Sequence, residues 1–118
     1  MVNEYSSAID YRLFKLISDK PEISQRELAS ELGLSLGKTN YCLKAVIARG
    51  LVKVDNFRRS DNKRAYAYLL TPKGIEEKAR VTVLFFRYVE REYESLKREV
   101  ENIDRDESGS VVQRGSVI

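Results

Sequence analysis

Recognition of a polyanion is the chemistry for which this chain carries concentrated raw material. Between residues 36 and 64 stand eight basic side chains (Lys38, Lys44, Arg49, Lys53, Arg58, Arg59, Lys63 and Arg64) against only Asp55 and Asp61. Residues 1–74 hold 13 Lys+Arg against 8 Asp+Glu, and residues 75–118 hold 8 against 10, so a basic surface adjoins a mildly acidic segment. That distribution fits a polyanion-binding face; a solvated basic face with no partner would look the same by charge alone. Catalysis has much less to draw on. There is no histidine and one cysteine, Cys42, which removes imidazole-based triads, the common zinc sites and any internal disulfide. No nucleophile–base pair and no phosphate-binding glycine loop appears. An enzyme is not expected, nor a metal, nor a cofactor.

The elements that position the basic residues follow from caps and periodicity. Ile9, Leu13, Leu16 and Ile17 recur at helical spacing, predicting a helix over about 8–19 with Ser6 or Ser7 as N-cap and Pro21 beyond its end. Ser24-Gln-Arg-Glu27 is a capping box opening a short helix whose apolar face is Leu28, Ala29 and Leu32, and Gly33 suits a left-handed stop. Ser35 caps a third helix that runs to about Arg49, with Thr39, Leu43, Val46 and Ile47 facing inward. Two short helices joined by Leu32-Gly-Leu-Ser35 form a helix-turn-helix. Residues Leu51–Phe57 and Ala65–Leu70 read as strands around a basic tip carrying Arg58, Arg59, Lys63 and Arg64, a wing. Tyr66 and Tyr68 share one face of this hairpin and are expected to pack there.

Thr71-Pro-Lys-Gly74 reopens a helix, with threonine as N-cap and proline at the first position. From Ile75 and Ala79 the positions Thr82, Phe86, Val89, Tyr93, Leu96, Val100 and Ile103 alternate by three and four, a heptad seam. A helix of about 30 residues is about 45 Å long, more than the preceding body can cover. Val81, Leu84, Phe85 and Tyr88 form a second stripe that would dock on the body, leaving the seam for a second copy. Folding of a lone helix back onto its own body is the alternative. The expected fold is therefore mainly α with a small β-hairpin wing: a winged helix-turn-helix over 1–72, a dimerisation helix over 73–103, and a mobile tail over 104–118.

In such a fold the third helix enters the DNA major groove and the wing grips the neighbouring backbone or minor groove. The outward face offers Ser35, Leu36, Gly37, Lys38, Asn40, Tyr41 and Lys44. Asn40 has the donor and acceptor for adenine, and Lys38 suits guanine or a phosphate. Tyr41 and Lys44 fit backbone contacts, and Leu36 a thymine methyl. Gly37 allows close approach, and the N–H groups after Ser35 can meet a phosphate. The wing arginines and lysine would add salt-dependent affinity. Each of these residues would also be unremarked on an ordinary exposed helix. Cys42 reads as a small buried filler, with a redox-sensing thiol as the alternative.

The run Glu27-Leu-Ala-Ser-Glu-Leu-Gly-Leu-Ser-Leu-Gly-Lys-Thr-Asn-Tyr-Cys-Leu-Lys-Ala45, continued by Leu51-Val-Lys-Val54 and Leu70-Thr-Pro-Lys-Gly74, resembles the winged helix-turn-helix of bacterial MarR-type regulators. It is most similar to the short EPS-associated subgroup, near exopolysaccharide functions. The resemblance spans about residues 8–100 and implies a dimeric, cytoplasmic transcription factor acting on double-stranded DNA. Compared with ordinary members the chain lacks an extra N-terminal helix and a second C-terminal one, which build the usual dimer base and much of the phenolic-ligand pocket. A small-molecule effector is therefore not specified. The competing reading is a winged-helix module that binds another protein and not DNA, which exposed Leu36 and Tyr41 would favour. No apolar run reaches membrane-spanning length.

Overall fold

The structure is a computed structural model that describes the backbone of residues 4–58 and 64–109, with side chains for 7–56 and 66–107. Its elements run α1 (Glu4–Asp19), α2 (Gln25–Leu32), α3 (Leu36–Ala48), β1 (Val52–Arg58), β2 (Arg64–Leu70) and α4 (Pro72–Gly109). This is the expected winged helix-turn-helix with a two-stranded antiparallel hairpin and a long C-terminal helix. Two compact units divide the chain, one ending at Phe85 and the other starting at Phe86.

In the first unit, Leu13, Phe14 and Ile17 of α1, Leu28 and Leu32 of α2 and Leu43 and Val46 of α3 form one core with Leu51, Val52, Tyr68 and Val81. Caps fix the helices around it. Ser24 Oγ accepts from Glu27 N at 3.0 Å, and the Glu27 carboxylate accepts from Ser24 N at 3.1 Å, the reciprocal pair that the capping box predicts. Gly33 ends α2 at φ 69°, a left-handed conformation that costs glycine little. The Arg12 guanidinium, reaching across from α1, donates to the last carbonyls of α2 on Glu31 and Leu32. Those carbonyls have no partner within their own helix.

The hairpin pairs Val52 with Leu70, Val54 with Tyr68 and Asn56 with Tyr66, placing both tyrosines on one face. Tyr68 is buried, and its backbone N–H donates to Pro21 O at 2.9 Å, joining β2 to the α1–α2 turn. Thr71 opens α4 as predicted. Its Oγ1 accepts from Gly74 N at 3.0 Å and donates to Gly50 O at 2.6 Å, while its own N–H reaches Leu51 O at 3.0 Å. Gly74 lies so close to the Leu51 carbonyl that a Cβ would drive into it.

Several expectations need correction. α1 starts at Glu4, so Ser6 and Ser7 lie within the helix and do not cap it; an acidic residue in the first turn already suits the helix dipole. Phe14, fully buried, was missing from the expected face. α4 continues through Gly109, so residues 104–109 are helix rather than tail; Arg105 there donates to Asn102 Oδ1 at 2.9 Å across one turn. The rest of the expected tail, 110–118, lies outside the described residues. The first compact unit also extends past residue 72, because Gly74 and Val81 of α4 are part of its packing. Of the docking stripe, Val81 is fully buried, and Phe85 stacks on Tyr11 of α1 with ring centroids 5.0 Å apart.

Candidate nucleic-acid interface

The outward face of α3 begins with its cap. Ser35 holds extended backbone (φ −66°, ψ 159°), and its Oγ accepts from Lys38 N at 3.0 Å. The Thr39 hydroxyl, fully buried, donates to Ser35 O at 2.8 Å. With Thr39, Leu43 and Val46 inside, helical phase leaves Ser35, Leu36, Gly37, Lys38, Tyr41 and Lys44 exposed. A Cβ on Gly37 would meet only open space. The packing of this chain therefore does not require glycine there, and a close external approach would.

Lys38 and Tyr41 are coupled, with the ammonium 5.7 Å from the ring centroid. Tyr41 nonetheless leaves 70% of its surface open, and Leu36 46%. Asn40 differs from the other six. It is half-buried, and its Nδ2 donates to Oε1 of Gln25 at 3.1 Å. Gln25 is the first residue of α2, so this bond crosses the helix-turn-helix. Sequence reasoning missed Gln25; the available signal was the capping box, which places it at the start of α2 facing the next helix. Cys42 is half-buried and free.

A cleft of about 650 Å³ opens beside this pair, lined by Ile23, Gln25, Asn40, Leu43, Lys44 and Ile47 and, across from them, by Val54, Tyr66 and Tyr68 of the hairpin. Of the expected wing residues, Arg58 and Arg64 are paired in the ladder at the outer end of the hairpin. Arg59 and Lys63 lie outside the described residues. Lys53 on β1 adds an exposed cation.

The far end of α3 is held by a charged cluster. Arg49 lies 3.5 Å from the Glu77 carboxylate of α4, and Arg80 approaches the same oxygen at 2.6 Å. The hydrogen bond from Arg80 is the main reason that the Glu77 carboxyl titrates below its usual range, with the charge of Arg49 adding to it. Asp10 of α1 moves the other way: burial raises its pKa, and Arg49 offsets this only in part. Lys73 Nζ donates to the Arg49 carbonyl at 3.3 Å. Among the described residues no group of three His, Cys, Asp or Glu side chains could hold a metal ion. No described helix is long and apolar enough to cross a membrane.

Fold and surface define a winged helix-turn-helix protein, and residues 6–53 match the family model for winged helix-turn-helix DNA-binding. Among solved structures the chain is similar to the transcriptional repressor CouR bound to a 23-mer DNA duplex, at 28% identity and a TM-score of 0.58 over 79% of this chain and 65% of that one. It thus spans just under two thirds of that repressor's length. It shares its fold with the transcriptional regulator BldR from Sulfolobus solfataricus, at 21% identity and a TM-score of 0.60, over 86% of this chain and 73% of that one. A MarR-family transcriptional regulator from Rhodococcus sp. RHA1 matches at 20% identity and a TM-score of 0.58, over 83% and 68% of the two chains. No protein of curated function matches the sequence.

Proposed function

We propose that the protein is a sequence-specific DNA-binding transcriptional regulator of the MarR type, acting in the cytoplasm as a homodimer on a roughly palindromic operator. The observation that carries this reading is the outward face of α3, where Ser35, Leu36, Gly37, Lys38, Tyr41 and Lys44 stand exposed on a capped helix with Asn40 beside them. In a helix-turn-helix that face meets the major groove. Asn40 reads an adenine edge, Lys38 a guanine or a phosphate, and the N–H groups following Ser35 a phosphate. Arg58, Arg59, Lys63 and Arg64 contribute salt-dependent affinity from the wing. The similarity to CouR, a transcriptional repressor solved bound to a DNA duplex, supports the DNA-binding part of this reading.

Dimerisation is assigned to the seam of α4. Phe86, Val89, Tyr93, Leu96, Val100 and Ile103 are between 45% and 62% exposed, in a heptad register that a second copy would cover. The resemblance to the EPS-associated subgroup is what links the protein to exopolysaccharide genes. The test is in-vitro selection of random duplexes at near-physiological salt. A two-fold symmetric motif is expected, with half-site centres about 10–10.5 bp apart. Salt-sensitive retention without a motif would reduce the protein to a non-specific binder. No retention would favour the protein-interaction module, for which the exposed Leu36 and Tyr41 are the specific observation.

A further inference from the structure

The hydrogen bond between Gln25 and Asn40 is a cross-helix contact that α2 and α3 do not need for packing, because Leu28, Leu32 and Leu43 already bury their interface. A side-chain amide has two N–H donors and a carbonyl oxygen with two lone pairs. Gln25 Oε1 takes one of the two Nδ2 hydrogens of Asn40. Asn40 keeps its other N–H and its Oδ1, the pair that a bidentate contact to the N7 and N6 of adenine requires. The backbone of Gln25 is itself held. It is the first residue of α2, directly after Ser24, whose hydroxyl and N–H are both tied to Glu27.

We propose that Gln25 is a positioning residue for base recognition, fixing the plane of the Asn40 amide so that its free donor and acceptor meet one adenine edge. The proposal rests on the DNA-binding reading above and names a determinant of its specificity. An unheld asparagine samples several rotamers and would have to lose that freedom on binding. The bond to Gln25 removes most of it in advance. Removing Gln25 therefore lowers discrimination at one base pair while leaving the phosphate contacts in place.

Two readouts test this on the full-length protein. In the free protein, the side-chain amide NMR signals of Asn40 should shift in Gln25→Ala and return toward their original positions in Gln25→Glu, which keeps the acceptor. Signals that do not move in Gln25→Ala overturn the proposal. On DNA, the probes are the duplex enriched by selection and the same duplex with the contacted adenine pair replaced. Asn40→Ala should lose about five- to hundredfold on the enriched duplex only, and Gln25→Ala about three- to tenfold. The double variant should be hardly weaker than Asn40→Ala. Gln25→Glu should retain the base preference while binding every duplex more weakly, because its charge repels phosphate. Equal losses of Gln25→Ala on both duplexes, or losses that add to those of Asn40→Ala, overturn positioning while leaving DNA binding intact. Failure of the unsubstituted protein to retain any duplex overturns both.

Discussion

Apolar residues at three- and four-residue spacings occur in both compact units, and they meet opposite fates. In the first unit Leu13 and Leu28 are fully enclosed, and Leu43 and Val46 nearly so. In the second, the same spacing leaves every member from Phe86 to Ile103 roughly half open. Periodicity specifies a helix face; it does not say what covers that face. The first unit supplies its own cover from three helices, a hairpin and the start of α4. Among the described residues the second is one stretch of helix, which offers no second element to cover that face.

The sharpest way to break this comparison is to charge the open seam. Val89→Asp with Leu96→Asp should convert the proposed dimer to monomer by light scattering, a loss of association of a thousandfold or more at about 2–3 kcal/mol or more per buried charge. The first unit should keep its fold, read by circular dichroism. Persistent dimers would show that the seam is not the interface. The mirror experiment enlarges the closed side. Leu43→Ala should cost about 2–4 kcal/mol in denaturant unfolding without changing the association of folded molecules.

Next in size is the wing. Arg58→Ala with Arg59→Ala should weaken binding to all duplexes about tenfold and flatten the salt dependence by up to about two contacts per protomer. An unchanged slope would remove these arginines from the interface. The smallest effect belongs to the clamp at the end of α3. Glu77→Gln should cost about 1 kcal/mol at pH 7. The folded-state pKa of Glu77 is depressed, so its contribution is fully present above the ordinary carboxyl pKa and is lost as pH falls through the folded value. The difference in thermal stability between the two proteins should therefore begin to shrink as pH falls below the ordinary carboxyl pKa of about 4.3 and vanish below the depressed folded value.

The helix-turn-helix was legible because its signals are local. Ser24 with Glu27, Gly33 and Ser35 each act on backbone groups within four residues, as does the cap that Thr71 gives Gly74. What escaped was set by tertiary distance. Gln25 meets Asn40 fifteen positions away, and the role of Gly74 depends on the Leu51 carbonyl, which no local pattern reveals. Phe14 escaped for a different reason, since it lies beside the main stripe of α1 and only the surrounding elements decide that it too is enclosed. The run from Asp104 to Gly109 lacks apolar period, yet solvated helix needs none when propensity and i,i+3 bonds such as Arg105–Asn102 suffice.

The joint at Gly50–Leu51 and Thr71–Gly74 bears on how the chain can be divided. Thr71 and Lys73 bond the carbonyls that follow α3, Glu77 pairs with Arg49, Val81 is buried in the core and Phe85 stacks on Tyr11 of α1. The first four turns of α4 are therefore as much a part of the winged helix-turn-helix body as the hairpin is. A shortened protein that stops where the hairpin ends would lose the lid of its own core, whereas one that ends after Phe85 retains every layer. For anyone grafting this winged body onto a different C-terminal helix, the splice belongs within α4 and in its register, not at the proline where it starts.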